Sequence, residues 1–129
     1  MKYYIISGEA SGDLHGATLV KHLKSYDKNT DVRAWGGELL EDQGAKIVKH
    51  YKDLAFMGFF EVVKNIFTII KNLNFCKKDI EEHDPDVIIL IDYPGFNLRI
   101  AKWAKIKGFT VHYYICPQVW AWKENRLKQ

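Results

Sequence analysis

Residues able to do chemistry gather in two short stretches. The first is ISGEASGDLHG, Ile6 to Gly16, in which Gly8 and Gly12 bracket Glu9 and Ser11 and Asp13 follows at once. Glycines directly behind an apolar run suit a loop whose backbone N–H groups meet an anion at a helix N-terminus. Two carboxylates oppose such an anion, and the three residues between Gly8 and Gly12 depart from the GxGxxG spacing of dinucleotide sites. Ionised carboxylates only accept hydrogen bonds, so hydroxyl groups suit Glu9 and Asp13 better than phosphate does. Asp13 can equally serve by complementing the dipole of its own helix.

The second stretch is DYPGFN, Asp92 to Asn97, directly behind the apolar run DVIILI. A carboxylate at the carboxyl end of a buried strand is partly desolvated and becomes a better general base. The same placement suits an Asp that caps the next turn, and the residue pattern leaves both readings open. Asn97 either caps the following helix or bonds a sugar hydroxyl. Farther on, Trp120 and Trp122 either stack on a sugar or wall a cleft by packing alone, and Arg126 can meet an anionic group.

The elements that must position these residues follow a repeating grammar. Lys2 to Ser7 reads as a buried strand, and Ser11 can cap a helix whose apolar positions are Leu14, Ala17, Val20 and Leu23. Asp31 to Trp35 is a second strand ending at Gly36-Gly37, Glu38 to Gln43 a short helix stopped by Gly44, and Ala45 to His50 a third strand. After a connector over Lys52 to Gly58, a helical pattern covers Phe59 to Phe75, and a further polar helix reaches about His83 before Pro85 ends it. Asp86 to Ile91 lacks alternation, as a central parallel strand covered on both faces does. Leu98 to Lys107 is predicted helical up to Gly108, Phe109 to Ile115 is a strand, and a helix begins near Trp120. Strands alternating with helices predict an α/β fold with an open, doubly wound parallel sheet, whose ligands bind beyond the strands' carboxyl ends. All the conspicuous loops fall on that edge.

The helix from Phe59 to Ile70 is more apolar than one buried stripe requires. Phe59, Val62, Ile66 and Ile69 fill one side, while Phe60, Val63, Phe67 and Ile70 extend it sideways. Glu61, Lys64 and Lys71 exclude a bilayer-spanning helix. The surplus either meets a membrane or acyl chain, or packs against sheet and helix together.

At 129 residues, 47% hydrophobic and 27% charged, the chain suits one compact domain. Its 19 Lys and Arg against 16 Asp and Glu form no basic block, which argues against nucleic acid. Cys76 and Cys116 lie far apart and the five His form no ligand-spaced cluster, so neither a metal site nor a disulfide framework is expected. The N-terminus lacks signal-peptide character, which predicts a cytoplasmic protein. Lys123 to Gln129 ends inside a predicted helix without a glycine stop, as a chain cut short would.

GEASGD, MGFFEV, PDVIILIDYPGFN and YICPQVWAWKENR together resemble, in order and spacing, the amino-terminal part of the lipid-A-disaccharide synthase family, glycosyltransferase family 19. The resemblance covers essentially the whole chain. It implies the Rossmann-like amino-terminal half of a two-domain GT-B glycosyltransferase, inverting and independent of metal or cofactor. Such an enzyme joins diacylglucosamine from its uridine diphosphate donor to the 6-hydroxyl of diacylglucosamine 1-phosphate, forming the β(1→6) lipid A disaccharide. By resemblance Asp92 is the catalytic base and the family's GE(T/A)SGD loop falls on Gly8 to Asp13, so Gly8, Glu9, Ser11, Gly12 and Asp13 are expected to bind substrate, joined by Asn97, Trp120, Trp122 and Arg126 on the residue readings above. The family's exposed apolar helix falls on Phe60, Val62, Val63, Ile66, Ile69 and Ile70, which implies peripheral association with the inner membrane. The implied partners are acylated glucosamine lipids and a membrane surface, with homo-oligomers also compatible. One departure stands out: the second acid of the family's DxPDFN motif is Gly95 here. The donor-binding domain is expected to be absent from these residues, leaving them little activity alone. Competing readings are a flavodoxin-like or nucleotide-binding module and a non-catalytic interaction domain.

Overall fold

Strands that are apolar on both faces need cover on both, and that requirement organises the molecule. A computed structural model describes residues 1–54 and 66–114. The two most apolar strands, β1 (Lys2–Ser7) and β4 (Val87–Ile91), pair in parallel at the centre of a five-stranded sheet. Beside β1 lie β2 (Asp31–Gly36) and then β3 (Lys46–His50), and beside β4 lies β5 (Val111–Tyr114), giving the order β3-β2-β1-β4-β5 with every pair parallel. The expected α/β, Rossmann-like fold is the one this chain adopts.

Side chains alternate across a strand, so each central strand feeds two cores. Tyr4, Ile6, Ile88 and Leu90 point to one face, where α4 (Ile66–His83) contributes Leu73, Cys76 and Ile80 and α5 (Pro94–Ile106) contributes Phe96, Ile100 and Ala104. Tyr3, Ile5, Ile89 and Ile91 point to the other, under α1 (Ala10–Tyr26) and α2 (Glu38–Asp42).

Several predicted boundaries move for identifiable reasons. The cap of α1 is Glu9, not Ser11, which lies inside the first turn. Leu14 is 53% exposed, because the buried face of α1 is built from small residues, Gly12, Gly16 and Ala17 with Asp13 and Val20, that let the helix sit close on the sheet. The connector after β3 opens with a short helix, α3 (Tyr51–Leu54). The two helices predicted up to His83 are one continuous α4 across Phe75, ended by Asp84 in a left-handed conformation ahead of Pro85. α5 begins at Pro94 instead of Leu98, since proline suits the first helical position.

Asp13 is the largest revision. It lies in the first turn of α1, yet its carboxylate serves the neighbouring helix. Only 2% exposed, it accepts hydrogen bonds from the backbone N–H groups of Gly37 at 2.7 Å, Leu39 at 3.1 Å and Leu40 at 3.1 Å. A five-residue helix is too short to persist unaided, and this carboxylate satisfies donors that its first turn leaves unpaired. With both oxygens engaged in the interior, Asp13 holds α2 instead of meeting a sugar hydroxyl.

On the opposite face a buried polar network ties strands to α4. Trp35 Nε1 donates to the Tyr4 hydroxyl at 2.8 Å, and that hydroxyl donates to Asp79 Oδ2 at 2.7 Å. Arg33 grips both Asp79 oxygens at 2.7 Å. Burial opposes the Asp79 charge, but the hydrogen bonds from Arg33 and Tyr4 and the guanidinium charge together outweigh it and hold the carboxyl below its ordinary value of 3.8. Burial pushes the Tyr4 phenol and the Cys76 thiol far up, so both stay protonated.

Because the folded carboxyl titrates below the unfolded one, the contribution of Asp79 is complete above about pH 4 and disappears as pH falls through its lowered folded value. Urea unfolding between pH 6 and pH 2.5 should show this loss, and Asp79→Asn should flatten that acid limb. Asp13→Ala should cost about 3 kcal/mol at neutral pH by stranding three backbone donors, read as a lower denaturation midpoint at an unchanged slope.

Candidate functional site

All five parallel strands end on one edge, and the strand order reverses between β1 and β4. The crevice at that reversal is where open α/β sheets hold their ligands. Asp92 is the first residue beyond β4, and it and Tyr93 have φ values of 46° and 50°, two consecutive left-handed residues. A bulky side chain is rare there, and Tyr93 also precedes proline, which disfavours helical backbone of this kind. Each such residue costs on the order of 1–3 kcal/mol and persists only where its surroundings over-determine it.

The surroundings here are specific. The Asp92 amide donates to the Tyr114 carbonyl at 3.0 Å, and the Asp92 carbonyl accepts from the Tyr113 hydroxyl at 2.7 Å and from Asn97 Nδ2 at 2.9 Å. The same Asn97 amide group approaches the carbonyls of Ile91 at 3.4 Å and Ile6 at 3.3 Å, so it spans the last residues of β4 and β1. The Asn97 backbone N–H donates to the Tyr93 carbonyl at 2.9 Å. Asn97 is thus neither a helix cap nor, being fully buried within α5, a residue in a ligand's path. It positions the turn that carries Asp92, which is 9% exposed at the end of its strand.

Tyr93 closes the first loop. A Cβ built on Gly8 would stand 2.6 Å from Tyr93 Cγ, so only glycine admits the ring there, and the ring stacks on Phe96 at 5.4 Å between centroids. A phosphate approaching the Gly8 backbone would meet this ring. Gly12 is close-packed in the same way, its absent Cβ falling 2.7 Å from Ser7 Cβ. Of the first loop's polar residues, Glu9 is exposed at the rim, Ser11 is half-buried in α1, and Asp13 is committed to α2. Burial raises the Tyr93 phenol. The Tyr113 phenol is raised by burial first and then by the charge of Asp92, which places that carboxylate's field across the crevice.

Beside the turn, α4 and α5 leave a groove of about 280 Å³. Its walls are Ile66, Ile69 and Ile70 on one side and Tyr93, Gly95, Phe96 and Arg99 on the other. Ile66 and Ile70 are exposed and Phe67 is 82% exposed, whereas Ile69 packs partly into the core. Phe60, Val62, Val63, Trp120, Trp122 and Arg126 lie outside the described residues. Among the described residues no helix is long and apolar enough to cross a membrane, and no cluster of His, Cys, Asp or Glu is placed to hold a metal ion.

Sequence reasoning missed Tyr93, Tyr113 and Arg99. The Tyr-Pro dipeptide was a usable signal for the first, because a residue before proline marks a break in helical backbone. Tyr113 and Arg99 owe their positions to strand register and helix phase, which no local pattern marks.

A family model described as lipid-A-disaccharide synthetase matches residues 3–129. The lipid-A-disaccharide synthase of Trichlorobacter lovleyi is 42% identical over 125 residues, covering 97% of this chain and 33% of the relative. That of Coxiella burnetii is 38% identical over the same shares, and lipid-A-disaccharide synthase 1 of Legionella pneumophila is 40% identical over 95% of this chain and 32% of its own. The chain therefore spans about a third of the length of the curated relatives it matches. With a Rossmann-like sheet and a family match that runs from Tyr3 through both chemistry-bearing stretches to Gln129, the chain belongs to the lipid-A-disaccharide synthetase family.

Proposed function

We propose that these residues form the acceptor-side domain of an inverting GT-B glycosyltransferase. It moves diacylglucosamine from a uridine diphosphate donor to the 6-hydroxyl of diacylglucosamine 1-phosphate, and Asp92 is the general base. The observation that carries this reading is the placement of Asp92 on a strained, heavily braced turn at the crevice where the sheet order reverses. Such bracing fixes the position of the Asp92 backbone, and a base must stand within hydrogen-bond reach of the proton it takes. As the acceptor oxygen attacks the anomeric carbon, the Asp92 carboxylate removes its proton and uridine diphosphate departs from the opposite side, inverting that carbon. Glu9, exposed at the rim of the same edge, is placed to accept hydrogen bonds from sugar hydroxyls.

The exposed Ile66, Phe67 and Ile70 on one helix support a face that rests on the cytoplasmic side of the inner membrane, where the acylated sugars reside. The share of the relatives that this chain covers supports a donor-binding domain supplied by further residues.

In the enzyme carrying both domains, Asp92→Asn should lower kcat by about 10²- to 10⁴-fold with the melting temperature nearly unchanged. Near-normal turnover would remove Asp92 as the base. Residues 1–129 alone, given both sugar lipids, should form no appreciable disaccharide, and steady product formation would show that the donor site is complete within them.

A further inference from the structure

Two neighbouring residues of β5 hold the two peptide planes that flank the Asp92 Cα. On the amino side, the Asp92 N–H donates to the Tyr114 carbonyl at 3.0 Å, continuing the ladder past the Ile91–Tyr114 register pair. On the carboxyl side, the Tyr113 hydroxyl donates to the Asp92 carbonyl at 2.7 Å. The first contact joins backbone to backbone and does not depend on which side chain β5 carries there. The second depends on one side-chain oxygen. Because each plane is rigid, fixing both sets the direction of the Asp92 Cα–Cβ bond, and so the place of its carboxylate. The turn needs that fixing, since φ values of 46° at Asp92 and 50° at Tyr93 lie where side chains are disfavoured.

Asn97 Nδ2 also donates to the Asp92 carbonyl, at 2.9 Å, but the same amide group lies toward the carbonyls of Ile6 and Ile91 at 3.3 and 3.4 Å. The Tyr113 contact is the shorter one. A buried tyrosine hydroxyl needs some acceptor, and the one it takes here is the carbonyl of a strained turn. The Tyr113 ring packs against the core cluster that contains Leu90, Phe96 and Ile100, a space phenylalanine would fill equally. Burial and the Asp92 charge both hold the phenol above its ordinary value of 10, so it remains a donor at neutral pH.

We infer that Tyr113 is a positioning residue for the transfer reaction: its hydroxyl holds the Asp92 carbonyl, fixes the direction of the Asp92 carboxylate, and acts through Asp92 alone. Its effect on turnover rests on the reading of Asp92 as general base, while its effect on the turn does not.

In the enzyme carrying both domains, Tyr113→Phe should lower kcat on the order of tenfold and change KM for either sugar lipid by less than about twofold, as lost alignment does. In an Asp92→Asn background the same substitution should leave the residual kcat within about twofold, because the group it positions is gone. Amide hydrogen exchange gives a readout that needs no turnover. The Asp92 N–H should exchange about fivefold faster in Tyr113→Phe, the loss expected for one neutral hydrogen bond, with the Ile5 N–H of the central strand unchanged. A normal kcat in Tyr113→Phe, an equal loss in both backgrounds, or unchanged Asp92 exchange would overturn the inference. If Asp92→Asn abolishes turnover while Tyr113→Phe keeps a normal kcat, the role of Tyr113 falls and that of Asp92 stands. If Asp92→Asn stays active, the base assignment falls, and the exchange comparison alone decides whether Tyr113 holds the turn.

Discussion

One side-chain amide, that of Asn97, joins the ends of the two strands on which everything else is built. β1 and β4 are covered on both faces, and their terminal carbonyls emerge into a crevice that must be satisfied without the help of a further strand residue. The Asn97 amide group lies toward the carbonyls of Ile6, Ile91 and Asp92 and so links the switch point of the sheet to the first turn of α5. The strained backbone of Asp92 and Tyr93 is held because this amide fixes it from α5 while the Tyr113 hydroxyl and the Tyr114 carbonyl fix it from β5.

A second constraint acts on the first loop, where space decides. Gly8 admits the Tyr93 ring, Gly12 admits Ser7, and the close seating of α1 lets Asp13 reach the start of α2. The loop has the composition of a phosphate cradle but is filled by an aromatic ring and a carboxylate already spent on backbone donors. Its glycines serve close approach, and of its carboxylates only Glu9, at the rim, is left exposed.

The far face shows how the molecule affords an exposed apolar helix. α4 is anchored by Leu73, Cys76 and Ile80 in the core and by the Asp79 network with Arg33 and Tyr4. That anchoring is concentrated in its second half, so the first half can carry Ile66, Phe67 and Ile70 outward. Core anchoring and exposed apolar surface are divided along one helix.

The fold class was legible in the sequence because DVIILI and KYYIIS are apolar without alternation and because glycines and prolines punctuate most of the elements. Those are local signals: burial on both faces removes alternation, and backbone breakers act where they stand. Asp92 was legible as a candidate by its place after a buried strand. What the sequence by itself could not decide was which carboxylate is spent internally and which is presented. Asp13 and Glu9 look alike in GEASGD, and only the packing of α1 against α2 turns one inward. Likewise Asn97 reads as a cap until β1, 91 residues away, is brought beside β4. The composition of each segment determined what could form, and contacts between segments distant in the chain determined which polar group was left for a ligand, because a buried hydrogen bond depends on partners that local sequence does not contain.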